Sequence, residues 1–356
     1  MRRVHVLGLV VLAIGIGLVA WRWGGKDASA PTSATATASA EPTAAASAGP
    51  TAATSASAVV IGSARPAEAA RSFELGWGTG ERELGRKRPQ EGNPEAPMSL
   101  AVDGKGNTLV LDQVNGRIMR YGSDGRTLDE MKLPVLGAQD VAVASDGKLA
   151  VLDRLADKTV AIMGPDGKLV GRLPLEGKGI PETGAVTGVF VDGKKVYVEV
   201  EHGTLVSLGD TSGNADADRT ELPGRPSRDG KYLWSAGIID KGRGRMWLAS
   251  MDRASLEHRF TRQLDLGMPM MAIVLLDTDR QGTVYLGTVI EPAQGTEAVL
   301  LTCVSPTDGH ALGSVQMPIN TLPEETFRDL AVLDEGGVVY QLRTDKGVTL
   351  ARYDCR

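Results

Sequence analysis

A glycine-centred hairpin tip recurs six times along this chain, and no other feature restricts its possible folds so tightly. The tips are Asp103-Gly104, Asp146-Gly147, Asp192-Gly193, Lys241-Gly242, Gln281-Gly282 and Glu335-Gly336, with 43, 46, 49, 40 and 54 residues from one glycine to the next. A short apolar run precedes each tip: SLAVD (99–103), DVAVA (140–144), TGVFVD (187–192), WSAGIID (234–240), AIVLLD (272–277) and DLAVLD (329–334). Another follows it, as in TLVLD (108–112), LAVLD (149–153) and KVYVEV (195–200). Pairs such as Asp-Gly between apolar runs mark tight hairpins, because a turn matched to strand twist needs a residue that tolerates positive φ. A third and a fourth run complete the early units, RIMRY (117–121) and TLDEMKL (127–133) in the first, joined at Asp124-Gly125. Repeated four-stranded units of this kind bury both faces only by stacking around an axis. The spacing therefore predicts an all-β, six-bladed β-propeller.

The last unit offers three runs, 329–334, 338–342 and 348–353, and no fourth. An uncovered outer edge invites intermolecular pairing. The strand-like SFELGW (72–77) is therefore expected to close the last blade, joining the two ends of the domain in one sheet.

What precedes residue 71 differs in kind. Residues 4–21 carry no Asp, Glu, Lys or Arg, and as a helix would span about 27 Å, enough to cross a bilayer. The segment 1–26 reads as a single-pass membrane anchor that places the rest in the periplasm or outside the cell, or as a signal segment that is cleaved to release it. Residues 27–70 are Ala, Ser, Thr and Pro with few large apolar side chains, too little to offset the entropy of ordering, and read as a disordered linker. Residues 71–356 are expected to be the propeller.

That domain holds 34 of the 39 basic residues and 41 of the 44 acidic ones, a net of −7. With no basic stripe to neutralise phosphates, nucleic acid is not an expected partner. The only cysteines, Cys303 and Cys355, fall near strand ends in neighbouring units, which permits a disulfide or two inert thiols.

The stretch from FELGWGTG (73–80) through PMSLAVDGKGNTLVLDQVNGRIMRYGSDG (97–125) resembles an NHL-type repeat, with Pro97, Asp103, Asp112, Asn115 and Arg117 at the motif positions. The resemblance covers about 50 residues and fades afterwards. It implies a six-bladed propeller, a fold shared by binding scaffolds and by a few lyases and lactonase-like enzymes. Read locally, Asp112, Asn115 and Arg117 are expected to tie the second strand of the unit to the third.

Candidate chemistry is sparse. His202, His258 and His310 lie at separate turns, and no zinc-binding or Ser-His-Asp spacing occurs, so no catalytic residue is assigned. Asp210, Ser212, Asn214, Asp216, Asp218 and Glu221 occupy positions 1, 3, 5, 7, 9 and 12 of a calcium-loop pattern, with Ala215 where Gly is wanted. Calcium is the one cofactor to consider, against a plain solvated loop. Met268, Met270 and Met271 read as packing, and the acidic pairs Asp129-Glu130 and Glu324-Glu325 as strand edges and turns. If a ligand binds, the starts of the innermost strands should carry it, so Ser99, Asp140, Thr187, Trp234 and Asp329 are expected to ring one mouth of the central channel. The expected function is a binding or scaffold module for a protein, peptide or glycan. The alternative is a metal-dependent lyase or lactonase-like hydrolase acting at that mouth.

Overall fold

The computed structural model describes residues 59–61, 64–293 and 295–356. The apolar segment 4–21 and most of the expected linker lie outside these residues. Among those described, no helix is long and apolar enough to cross a membrane.

Six antiparallel sheets form the blades of a β-propeller, as the glycine spacing and the NHL-type resemblance imply. The first blade is Ser99–Val102, Thr108–Asp112, Arg117–Tyr121 and Thr127–Lys132, and the second is Asp140–Val143, Leu149–Asp153, Thr159–Met163 and Leu169–Pro174. The inner strands of the fifth, sixth, first, second and third blades touch in turn around the axis, while the fourth blade meets the fifth through its strand Tyr232–Asp240. Because successive side chains of a strand point to opposite faces, the central strands are apolar on both sides. Leu109 and Leu111 pack into the second blade with Val141 and Val151. Val110, between them, packs into the last blade with Leu75, Val348 and Leu350.

Ring closure follows the expectation. Leu330–Val332, Val338–Thr344 and Gly347–Tyr353 are completed by Arg71–Trp77, with Phe73 opposite Leu350 and Leu75 opposite Val348. The motif residues reinforce this seam. The buried Asp112 carboxylate accepts from Arg117 Nε at 2.9 Å, from Asn115 Nδ2 at 2.8 Å and from the Gly85 amide at 2.9 Å. The Arg117 guanidinium also donates to the carbonyls of Thr79, Gly80 and Glu83 at 2.8–3.0 Å, all in the closing segment. The trio thus clamps the first blade to the last as well as strand to strand.

Two features depart from the expectations. Sheet pairing begins before residue 71, inside the stretch assigned to the linker. Val59–Val60 runs parallel to His258–Asp265 on the outer edge of the fourth blade, and Arg65–Pro66 parallel to Ala311–Met317 on the fifth. The chain then reaches the sixth, visiting three outer edges in turn. The signal for this was Val59-Val60-Ile61, the only large apolar side chains in that stretch.

The second departure is the phase of the fourth blade. Its inner strand is the two-residue Arg225–Pro226, its second is Tyr232–Asp240, and its third and fourth are Arg245–Asp252 and His258–Asp265. The first hairpin tip is therefore Asp229-Gly230, with Gly230 at φ +76°, and not Lys241-Gly242, which joins the second strand to the third. An Arg-Pro pair has no apolar pattern, so its strand was invisible and the next one was counted as innermost.

Cys303, on the third strand of the fifth blade, is bonded to Cys355 at the end of the sixth, with 5.6 Å between Cα atoms. The bond staples two neighbouring blades beside the closure.

Candidate functional site

The inner strands begin at one mouth of the channel, here the upper one, and the loops joining second and third strands emerge around it. At the lower mouth, Arg228 of the fourth blade bridges Asp277 at 2.6 Å and Asp334 at 2.9 Å, with Arg280 on Asp334 at 2.8 Å. These ion pairs tie the fourth, fifth and sixth blades together below.

Four of the expected mouth residues stand at inner-strand starts. Ser99 Oγ donates to Asp140 Oδ1 at 2.5 Å, crossing from the first blade to the second. Asp140 Oδ2 accepts from the Val189 amide and from Arg328 Nη2, each at 2.8 Å. Thr187 Oγ1 donates to Glu199 Oε2 at 3.0 Å and accepts from the His202 amide at 3.1 Å. Asp329 Oδ2 accepts from Asn320 Nδ2 at 3.0 Å and Thr326 Oγ1 at 3.1 Å. Burial pushes the Asp329 carboxyl above its ordinary range, against the opposing pull of Arg343 and these donors.

Trp234 does not belong with them. It sits on the second strand of the fourth blade, buried in the core with Met246 and Leu248 and edge-on to Phe260 at 5.9 Å. The misassigned blade phase accounts for this.

Four residues that the sequence did not single out, Phe190, Arg225, Glu199 and Arg328, connect the mouth. Phe190 lies between two guanidiniums, Arg225 at 4.8 Å and Arg328 at 5.0 Å from its ring centroid. Arg225 donates to Glu199 Oε1 at 2.7 Å and to the Leu276 carbonyl at 2.9 Å, spanning the third, fourth and fifth blades. Ser99, Asp140, Arg328, Phe190, Arg225, Glu199 and Thr187 thus form one continuous chain of contacts. No sequence pattern signals it, because all but one of its links cross from one blade to another. Burial would raise the Glu199 carboxyl, but hydrogen bonds from His202, Arg225 and Thr187 outweigh it and bring its pKa down to about 2. The hydrogen bond to Glu199 in turn raises the His202 imidazole above its ordinary value.

The calcium-like loop lies on the opposite, lower face, at the outer side of the third blade, between its third strand Leu205–Asp210 and its fourth strand Glu221–Leu222. Asp210 Oδ1 is taken by the amides of Ser212 and Asn214 at 2.8 and 3.1 Å. Asp216 holds Lys195 Nζ at 2.6 Å and Asp218 holds Lys178 Nζ at 2.8 Å, while Glu221 opens the outer strand. The expected oxygens are not gathered at one point. Among the described residues, the one cluster of three side chains with metal-ligating atoms is Cys303, Asp354 and Cys355, and both its sulfurs are in the disulfide.

The other sequence candidates disperse. Met270 is in the core, while Met268 is partly and Met271 largely exposed. His310 is paired with Asp308 at 2.6 Å and His258 with Thr261 at 2.9 Å. Asp129 and Glu130 face Arg120 and Arg117. Glu324 is buried against Arg86 at 2.8 Å, and Glu325 reaches Arg154 at 4.0 Å.

No family model matches the chain, and no curated protein matches it. Several solved structures are similar to it in fold alone. A streptogramin B lyase shares 10% identity over 76% of this chain and 98% of its own, with a TM-score of 0.41. The virginiamycin B lyase of Staphylococcus aureus shares 10% over 80% and 99%, with a TM-score of 0.42. U3-55K shares 12% over 80% and 99%, with a TM-score of 0.48.

Proposed function

We propose that this chain is a membrane-tethered, extracytoplasmic binding module whose upper face docks a protein, peptide or glycan partner. The observation that carries the reading is a pair of leucines held in the open beside the mouth. Leu136 is 91% exposed and Leu155 60% exposed. Both are held by one buried carboxylate: Asp153 accepts from the Gly137 amide at 2.9 Å, the Leu155 amide at 3.2 Å and the Ala156 amide at 2.8 Å. Apolar side chains on a loop already ordered lose little conformational freedom when a partner covers them, which suits docking. They favour a protein or peptide over a glycan.

The mouth network supports binding over a metal-dependent reaction. Asp140 and Glu199, the carboxylates best placed to hold a cation there, each face a guanidinium. The Cys303–Cys355 bond supports an oxidising compartment, and the apolar run at 4–21 supports delivery across a membrane.

Photo-crosslinking in cells of the native host tests the reading. A photoreactive residue at Leu136 or Leu155 is expected to give a discrete adduct, and one at Leu256, on a lower-face loop, none. Absence of an upper-face adduct, or equal labelling from Leu256, would overturn it.

A further inference from the structure

The truncated inner strand of the fourth blade leaves a notch in the wall of the channel. In the first two blades the second strands Thr108–Asp112 and Leu149–Asp153 are buried at every residue. In the fourth, Ser235 to Asp240 are all partly or fully exposed. The cause is the length of the neighbour: Arg225–Pro226 pairs only with Trp234 and Leu233. Gly224 runs so close to the Trp234 backbone that a Cβ would lie 2.7 Å from its carbonyl oxygen, and Pro223 has no amide to continue the ladder.

The parity of the edge can be read from its paired end. The Tyr232 carbonyl accepts from the Ser227 amide, so residue 232 directs its polar groups inward, as does Trp234 opposite Arg225. With a period of two, Ala236 and Ile238 direct theirs inward as well. Neither has a hydrogen-bond partner on that side among the described residues. Ala236, Ile238, Met268 and Ile273 pack over one core cluster, and Met271 and Val274 of the fifth blade are exposed at 48% and 45%. On the third-blade side Thr187 bonds Glu199, which holds the Arg225 guanidinium, itself also bonded to the Leu276 carbonyl of the fifth blade.

We propose that the open inner edge of Ser235 to Asp240 is a docking site for an extended peptide, which adds itself as the missing upper part of the inner strand of the fourth blade. The proposal rests on the binding reading above and names the partner. The edge runs for about 20 Å, so about five residues pair with it. A peptide strand there has one face toward Ile273 and Met268, which pack over the core cluster shared by the fourth and fifth blades, and the other toward Thr187 and His202, which selects apolar side chains at alternate positions with small polar ones between. Proline at a paired position is excluded. The notch is recessed between two neighbouring blades, so the edge strand of a second folded copy cannot reach it. The Ala/Ser/Thr-rich stretch of this chain lacks the alternate apolar side chains, and its Val59-Val60 pair is already used on the outer edge of the same blade.

The test is selection of a displayed random heptapeptide library on the full chain, followed by binding measurements with the most enriched peptide made synthetically. Enriched sequences are expected to alternate apolar and polar residues. Methylation of alternate peptide nitrogens in one of the two possible phases should weaken binding at least tenfold, because it blocks the edge while leaving the side chains in place. Met271→Asp, at an exposed position, should weaken it at least tenfold with an unchanged melting temperature, whereas Val274→Asp, on the face shared with Leu275 toward the sixth blade, should not. No enrichment, enriched peptides without alternation, or binding indifferent to methylation in both phases or to Met271→Asp would overturn the proposal. Upper-face crosslinks that persist in that case would sink the notch and leave the broader reading intact.

Discussion

Replacing Arg117 by Ala probes the seam that holds the ring shut. The guanidinium is 7% exposed and makes five hydrogen bonds: to Asp112, Glu130, and the carbonyls of Thr79, Gly80 and Glu83. The substitution leaves the wholly buried Asp112 carboxylate with two neutral donors, Asn115 and the Gly85 amide, and no countercharge. Removing one partner of a buried pair costs about 3–5 kcal/mol. The three carbonyl bonds would add about 1 kcal/mol each, less what incoming water restores. The Glu130 side chain is half exposed, so its pairing adds little. A loss of about 4 kcal/mol is therefore expected, read from urea unfolding as a lowered midpoint at unchanged slope. Asp112→Asn in the Arg117→Ala background should recover part of it, giving a coupling of about 1–3 kcal/mol. A loss under about 1 kcal/mol, or strict additivity of the two changes, would refute the clamp.

Three further outcomes follow from the same contacts. Replacing Cys303 and Cys355 by Ser opens a loop whose ends are 52 residues apart, and chain entropy sets the upper loss near 4 kcal/mol, measurable by the same urea titration. Truncation before Arg71 should leave a folded ring of lower melting temperature, whereas truncation before Gly78, which removes the closing strand, should abolish the cooperative transition. The folded-state pKa of His202 lies above its unfolded value, so its contribution is fully present below about pH 6.5 and is lost as the pH rises through the raised folded value. His202→Gln should flatten stability across that window by a small amount, since the ring is largely exposed; a wild type whose stability rises there relative to the variant would contradict the sign.

How much of this was legible in the sequence depended on what each feature is made of. Asp-Gly turns and apolar runs are local, so five of the six leading strands and the closing strand SFELGW could be placed by counting. Ser99, Asp140, Thr187 and Asp329 followed from that count. The fourth blade failed because its inner strand is Arg225-Pro226, which has neither apolar alternation nor the length of a strand signal. That single slip put Trp234 at the mouth, and it also hid the notch, which exists only because the strand is short. Phe190, Arg225, Glu199 and Arg328 escaped for a different reason: they meet across blades, and nothing in the spacing of one blade encodes what its neighbour presents. The calcium-like loop shows the reverse error, in which correct spacing of oxygens is overruled by Lys178 and Lys195 from neighbouring segments.

Hydrogen–deuterium exchange resolved to single amides tests the open edge most directly. In the free protein the amides of Ala236 and Ile238 should exchange at least a hundredfold faster than that of Val110, Val151 or Val198 on the corresponding strands. Protection at Ala236 and Ile238 equal to those three would mean that the inner edge of the fourth blade is already paired, and the docking site would not exist.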